Sequence, residues 1–282
     1  MASSNVQRTD SEPAVAATHP SLEETSLSAG LPENWVVKLY REACEGTVWR
    51  PPPPPSKVPE PAVEPTADER KAVAAGNARR AAGEVRRYIR ANRLDHLWTF
   101  TFAQAVTDYA QLAPIVEAFE RRLREAGWRG PLVLVPEPHP LGHGWHLHGA
   151  IRGRFPHAWM ARLWKHGYVF VTGSHGKSKG AWRPRRLSRY LAKYLIKDLD
   201  QEELAGCTPR PKGAHRYFVT AGFDPRVERW TFDTLAQALE FLDKSMGPPA
   251  VMLPMVGDDR FTLEGYWLDW PDPPRRPRPA PA

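Results

Sequence analysis

Cysteine is nearly absent: the 282 residues contain two, Cys44 and Cys207. Neither has a partner at CxxC spacing, which excludes a disulfide framework and a cysteine zinc site and fits a reducing cytosol. Long apolar runs are missing too. No stretch reaches the roughly 20 residues that cross a bilayer, so a cytoplasmic protein with no membrane partner is expected. The opening MASSNVQRTDSEP lacks a basic region followed by an apolar one, and does not read as a secretory signal. No internal repeat is visible. A phosphate loop is missing as well: in GSHGKSKG (173–180) the pattern GxxxxGK[ST] ending at Lys177-Ser178 needs glycine where Val171 stands. That segment reads as a flexible basic loop, and the chain carries no ATPase motor.

Proline, by contrast, is in excess. Thirty prolines are too many for one compact domain, so part of the chain is expected to be disordered. Residues 1–66 read as a mostly disordered region ending in the polyproline stretch PPPPPSKVPEPAVEP (51–65), with NWVVKLYREA (34–43) as one short docked helix or strand. Residues 67–95 read as a basic helical lead-in, 96–223 as the main folded domain, 224–270 as a helix and strand extension, and 271–282 as a disordered basic tail. The net charge of +7 is unevenly spread. Residues 1–66 hold nine acidic and five basic residues, whereas 151–220 hold fifteen basic and four acidic ones. A basic block inside a folded region points to a polyanionic partner, most often nucleic acid, although a solvated basic face has the same composition.

Between His96 and Phe223 strand and helix signals alternate. LWTFTF (97–102), PLVLVPE (131–137), GWHLHGAI (144–151), YVFVT (168–172) and HRYFVTAG (215–222) read as strands. In the first, Trp98, Phe100 and Phe102 share one face and Thr99 and Thr101 the other. Leu112, Ile115, Val116, Phe119 and Leu123 follow a helical spacing that Gly127 ends. PHAWMARLWKHG (156–167) and RRLSRYLAKYLIKDLD (185–200) read as further helices. The order predicts an α+β fold: a central antiparallel five-stranded sheet flanked by helices. Beyond it, 232–245 reads as an amphipathic helix and 260–270 as a strand.

Two constellations carry chemistry. His146 and His148 sit either side of Leu147, and residues i and i+2 of a strand point to one side about 6.7 Å apart. Two imidazoles so placed can converge on a divalent ion while Leu147 faces the core. Glu137, which ends the preceding strand, is the candidate third ligand, with His139 and His143 as competitors. Two nitrogens and one oxygen leave open positions on Mg²⁺, Mn²⁺ or Zn²⁺. Alone, the pair reads as two histidines on a sheet face. The second constellation is YLAKYLIK (190–197), where Tyr190, Lys193, Tyr194 and Lys197 fall on one side of a helix. Leu191, Ala192, Leu195 and Ile196 fall on the other. Tyrosines at that spacing are usually core; here they lie on the lysine side, where ammonium groups can stabilise a phenolate.

Together these motifs resemble the HUH endonucleases, and within them the rolling-circle replication initiators of phages and plasmids. LWTFTFA (97–103), His146-Leu147-His148 with Glu137 upstream, and Tyr190 with Lys193 match the family's three motifs in their order. The doubled YxxKYxxK is similar to the two-tyrosine, gene-A-like type. HRYFVTAGF (215–223) resembles its closing strand. Conjugative relaxases place the tyrosine before the histidines, and the HUH transposases of insertion sequences are shorter and usually carry one tyrosine. The resemblance covers residues 75–223. It implies sequence-specific nicking and rejoining of single-stranded or hairpin origin DNA through a 5′-phosphotyrosine, with Mg²⁺ or Mn²⁺ held by His146, His148 and Glu137. Tyr190, Tyr194 and Lys193 would be catalytic. Lys177, Lys179, Arg183, Arg185, Arg186, Arg189 and Lys197 would hold DNA, with Trp182 stacking on a base. No helicase domain follows, so a host helicase and the replication machinery are implied partners. Two other readings share the residues: an HUH transposase, and a non-catalytic nucleic-acid-binding α+β module. The module needs exposed aromatics on central strands, and no strand pairing of that kind is visible in the sequence.

Overall fold

Runs of β-branched and aromatic residues build two sheets, and amphipathic helices cover them. The computed structural model describes residues 34–52, 64–139, 141–172, 183–197, 206–256 and 263–273, all within one unit spanning 33–282. The N-terminal half contributes β1 (Trp35–Tyr40), β2 (Glu45–Trp49), α1 (Ala67–Ala91), β3 (His96–Phe100), α2 (Leu112–Glu125), β4 (Leu132–Pro138) and β5 (Trp145–Ile151). Then come α3 (His157–Trp164), β6 (Val169–Val171), α4 (Pro184–Lys197), β7 (Phe218–Val219) and β8 (Glu228–Phe232). The chain continues through α5 (Leu235–Met246), β9 (Val251–Val256) and β10 (Leu263–Asp269). The fold is α+β with two five-stranded antiparallel sheets, ordered β6-β3-β5-β4-β7 and β8-β1-β2-β10-β9.

The central sheet is buried on both faces. Trp98, Phe100, Leu134 and Leu147 point into a core with Phe119 of α2 and Met160 and Trp164 of α3. Leu97, Val133, Val135 and Ala150 point the other way, against Val85 and Ile89 of α1 and Leu187, Leu191 and Leu195 of α4. This accounts for β4 and β5 being buried at every position. An alternating strand with apolar residues on both faces needs a layer on each side. α1 begins with a capping box, in which the Thr66 hydroxyl accepts from the Glu69 N–H and Glu69 accepts from the Thr66 N–H.

The second sheet recruits residues from both ends of the chain. NWVVKLYREA supplies β1, and Trp35, Val37 and Leu39 pack with Val48, Leu268, Ala238 and Leu242 under α5. Ion pairs fasten this sheet to the rest. Glu45 accepts from Arg86 and Arg87 of α1 at 3.2 and 2.8 Å. Asp269 accepts from the buried Arg90 of α1 and, at 2.5 Å, from Arg185 of α4.

Some elements differ from expectation. HRYFVTAG pairs only at Phe218 and Val219, opposite Leu134 and Val133. Tyr217 instead donates to Glu84 of α1 at 2.7 Å. The strands β8 and β9 were not anticipated. β9 contains Pro254, which cannot donate to a ladder, and it lies at an edge where that costs nothing. The N-terminal residues 1–33, most of the polyproline stretch and the tail from 274 onward lie outside the described residues.

Candidate metal centre and nucleophile helix

The strand β5 begins with a tight turn. Gly144 has φ +79° and a Cβ there would meet the Val106 carbonyl oxygen at 2.6 Å, so the entry admits no side chain. From that point alternation decides orientation. Trp145 and Leu147 enter the α2/α3 core, and His146 and His148 emerge under α4. On the neighbouring strand Glu137 is the register partner of His146. All three side chains are buried, at 8%, 8% and 7% exposure for Glu137, His146 and His148.

Their ligand atoms form a small triangle. His148 Nε2 lies 2.7 Å from Glu137 Oε2, His146 Nε2 lies 3.2 Å from the same oxygen, and the two Nε2 atoms are 3.0 Å apart. Hydrogen bonds cannot satisfy this triangle. If both Nε2 atoms carry protons for the carboxylate, the N···N contact sets two donors against each other. If one is bare, its lone pair faces the carboxylate oxygen. A cation at the centre satisfies all three contacts. Glu137, His146 and His148 therefore form a buried group that could hold a metal ion. Burial opposes ionisation of Glu137, but the hydrogen-bonding contacts of His146 and His148 outweigh it and hold the carboxyl well below its ordinary range. Burial lowers the pKa of His148, Glu137 opposes this, and the net result favours the neutral imidazole that a metal needs.

A second layer orients the ligands. Thr99, on β3 directly opposite His148, places Oγ1 3.3 Å from His148 Nδ1. With a metal ion on Nε2, Nδ1 would carry the proton and Thr99 Oγ1 would accept it. The sequence reading put Thr99 on a strand face and gave it no role; only the β3–β5 register brings it to His148. His139 and His143, the competing ligands, fall outside the group. His139 Nδ1 accepts from the Leu141 N–H at 3.2 Å, and its ring stands 4.8 Å from that of His143.

The tyrosines of α4 reach the same place. The Tyr194 ring stacks on His148 at a centroid distance of 4.2 Å and an angle of 11°. Its hydroxyl donates to Tyr190 Oη at 2.6 Å. Lys193 Nζ stands 4.1 and 4.6 Å from the centres of the Tyr190 and Tyr194 rings. The two phenols are not equivalent. Tyr194 is buried and Tyr190 is half-exposed. Burial, then the hydrogen bond to Tyr190, pushes the Tyr194 phenol far above its ordinary value. The expected helix faces need one exchange: Tyr194 is buried with Leu191 and Leu195, and Ile196 is 48% exposed. The helix presses its His148-facing edge inward, and Ile196 turns away from the sheet.

The expected DNA contacts divide. Arg183, Arg186 and Arg189 are exposed on α4 and its approach. Arg185 is instead engaged by Asp269 through Nε and Nη2, at 2.9 and 2.5 Å. Arg189 reaches the same carboxylate at 3.3 Å with its side chain 56% exposed. Lys177, Lys179 and Trp182 lie outside the described residues, and Lys197 is described only as the last residue of α4. Among the described residues no helix is long and apolar enough to cross a membrane. Comparison with family models, with curated proteins and with solved structures found no match for the chain.

Proposed function

We propose that the protein is a metal-dependent nickase and strand transferase of single-stranded DNA, acting as a rolling-circle replication initiator. One observation carries this reading: the ring of Tyr194, whose hydroxyl donates to Tyr190, stacks on His148 of a two-histidine, one-carboxylate group that could hold a metal ion. Two-histidine, one-carboxylate sites serve several chemistries. The adjacent phenols and lysine favour phosphoryl transfer, in which a nucleophile must meet a phosphate whose charge is neutralised. Mg²⁺ or Mn²⁺ bound by Glu137, His146 and His148 would act as a Lewis acid on a non-bridging oxygen of the scissile phosphate.

The chain's own groups do the rest. Tyr190 Oη gives its proton to solvent water, which returns one to the leaving 3′-oxygen, and attacks phosphorus in line; the new bond is a 5′-phosphotyrosine. The bond to the 3′-oxygen breaks, and that oxygen leaves as a 3′-hydroxyl after taking up a proton. Tyr194 donates to Tyr190 Oη and so stabilises charge on it before attack. Lys193 adds a positive charge over both rings. The exposed Arg183, Arg186 and Arg189 hold the strand by its phosphates. The phosphodiester energy is kept in the tyrosyl ester, so a free 3′-hydroxyl can reverse the reaction and rejoin the strand. Such an enzyme works in the cytoplasm on origin DNA, alongside a host helicase and polymerase.

The test is an oligonucleotide carrying the nick site, incubated with protein and Mn²⁺. A denaturant-stable protein–DNA adduct is expected from wild type and not from the Tyr190→Phe/Tyr194→Phe double variant. The same adduct from both would refute the assignment. His146→Ala should bind DNA and not cleave it.

A further inference from the structure

The second sheet has a face that α5 does not cover. Trp35, Val37, Leu39, Val48 and Leu268 point toward α5. Alternation turns Lys38, Thr47, Trp49 and Trp267 to the opposite side, together with Arg229 of β8 and Leu253 of β9. Near its Tyr40, Glu45 and Asp269 end this side is closed by Arg86, Arg87 and Arg90 of α1. Among the described residues the remainder is open: Arg229, Thr231 and Leu253 are exposed and Trp49 and Lys38 are half-buried, while Trp267, also half-buried, has Arg86 5.3 Å from its ring centre.

Its chemistry is specific. Trp49 lies on β2, the central strand of the sheet. Lys38 Nζ stands 4.4 Å from the centre of the Trp49 ring. On the other flank the register partner of Trp49 is Gly265, which contributes no side chain. Arg229 is the register partner of Lys38 on the next strand. Burial lowers the pKa of Lys38, and the two charged groups that lower it further, Arg229 and Arg87, are both cations. An aromatic on a central strand, flanked by a row of like charges and by the hydroxyls of Thr47 and Thr231, matches what single-stranded nucleic acid needs: a surface on which a base stacks and cations for its phosphates. The sequence hid this arrangement because β2 and β10 pair across more than 200 residues.

The location fits as well. The first two turns of α4 are tied to Asp269 at the closed end of this face through Arg185 and Arg189. A strand running from Tyr190 toward the start of α4, about 9 Å along the helix, reaches the closed end of the second sheet, and Trp49 lies four residues, about 13 Å, further along β2 from Glu45.

We infer that the open face of the second sheet, centred on Trp49 with Lys38 and Arg229, is a binding platform for the single-stranded DNA that flanks the nick. The identity of the strand rests on the nickase reading, but binding can be measured apart from cleavage. The full chain in EDTA is titrated into fluorescent single-stranded oligonucleotides and followed by anisotropy. Trp49→Ala and Trp49→Leu should weaken binding at least about ten-fold, and Trp49→Phe should restore it, because stacking needs a π face and not merely apolar area. Lys38→Ala/Arg229→Ala should lower the slope of log Kd against log salt by about 0.7 per cation removed. Arg229 is exposed and Lys38 half-buried, so the pair tests the platform even if Trp49→Ala fails to fold, and circular dichroism reads the folding of each variant. Wild-type affinity in Trp49→Leu, or an unchanged salt slope in the double variant, overturns the inference. So does equal weakening toward duplex DNA, or equal displacement by polyglutamate, which would mark an acidic protein partner. Adduct formation by wild type with Mn²⁺ is scored separately. If it fails while the binding pattern holds, the nickase reading falls and the platform stands.

Discussion

At the scale of single residues, the site depends on side chains that never touch a ligand atom of the group. Thr99 fixes the His148 ring through Nδ1. Removing such a partner typically costs about 10–100-fold in metal affinity. Thr99→Val keeps the shape and removes the acceptor, so Mn²⁺ affinity measured by calorimetry should fall within that range. A variant binding Mn²⁺ as wild type does would show that Thr99 merely fills space. The two tyrosines make a second prediction. Tyr194 is buried against His148 and donates to Tyr190, so the first covalent bond should form on Tyr190. Peptide mass spectrometry of the first-turnover adduct should find the nucleotide on residue 190. Equal labelling of 190 and 194 would show that the phenols exchange places freely before the first cut. The shared side of His146 and His148, and that of Tyr190 and Tyr194, were legible from spacing, whereas Glu137 stood beside His139 and His143 as a candidate third ligand and meets the histidines only through the β4–β5 register. The difference between the phenols was not legible. It depends on how far α4 rolls against the sheet, which a 100° repeat does not encode.

Within elements, β5 shows what the pattern GWHLHGAI specifies. Its histidines face α4 because Leu147 and Trp145 prefer the opposite core, and a slip of one residue would exchange the two faces. Gly149 continues the Leu147 side. A Cβ there would meet Phe100 Cε2 at 2.8 Å and Leu134 Cδ2 at 2.9 Å, on the two flanking strands. Gly149→Ala should therefore destabilise the fold by about 1–3 kcal/mol, the usual cost of overpacking, seen as a lower urea midpoint with unchanged slope. A neutral result would mean that the Phe100 ring shifts at little cost. The central strands were readable because each is a local run with a clear period. β8 and β9 were not: Glu228–Phe232 is short and opens on two adjacent charges, and Val251–Val256 is interrupted by proline. The strand character of β8 comes from β1, a partner distant in sequence, the condition under which local propensity is weakest, whereas β9 pairs only with the neighbouring β10 and is obscured by its proline.

At the scale of the whole molecule, Asp269 joins the two sheets. It is 1% exposed and meets three guanidinium groups, those of Arg90 and Arg185, with Arg189 at 3.3 Å. Asp272 gives partial backup, accepting from Arg90 Nε at 3.1 Å and from the Arg185 N–H at 3.0 Å. Removing one partner of a buried pair costs about 3–5 kcal/mol, because the other charge stays buried without its counterion. Asp269→Asn should fall at the low end of that range, since Asp272 and the Trp270 carbonyl still accept from Arg90. Stability alone does not test what the contact is for. Arg185 and Arg189 belong to the helix turns just before Tyr190, so loss of Asp269 should also loosen the nucleophile. Leu242→Ala, in the α5 core away from α4, is the matched control, with an expected cost of about 2–5 kcal/mol. Both variants are assayed where urea curves show them folded. Asp269→Asn should form adduct more slowly in a single turnover than Leu242→Ala, and hydrogen exchange should rise in α4. Equal rates would mean that the ion pairs hold the sheets together and leave the tyrosines where they are.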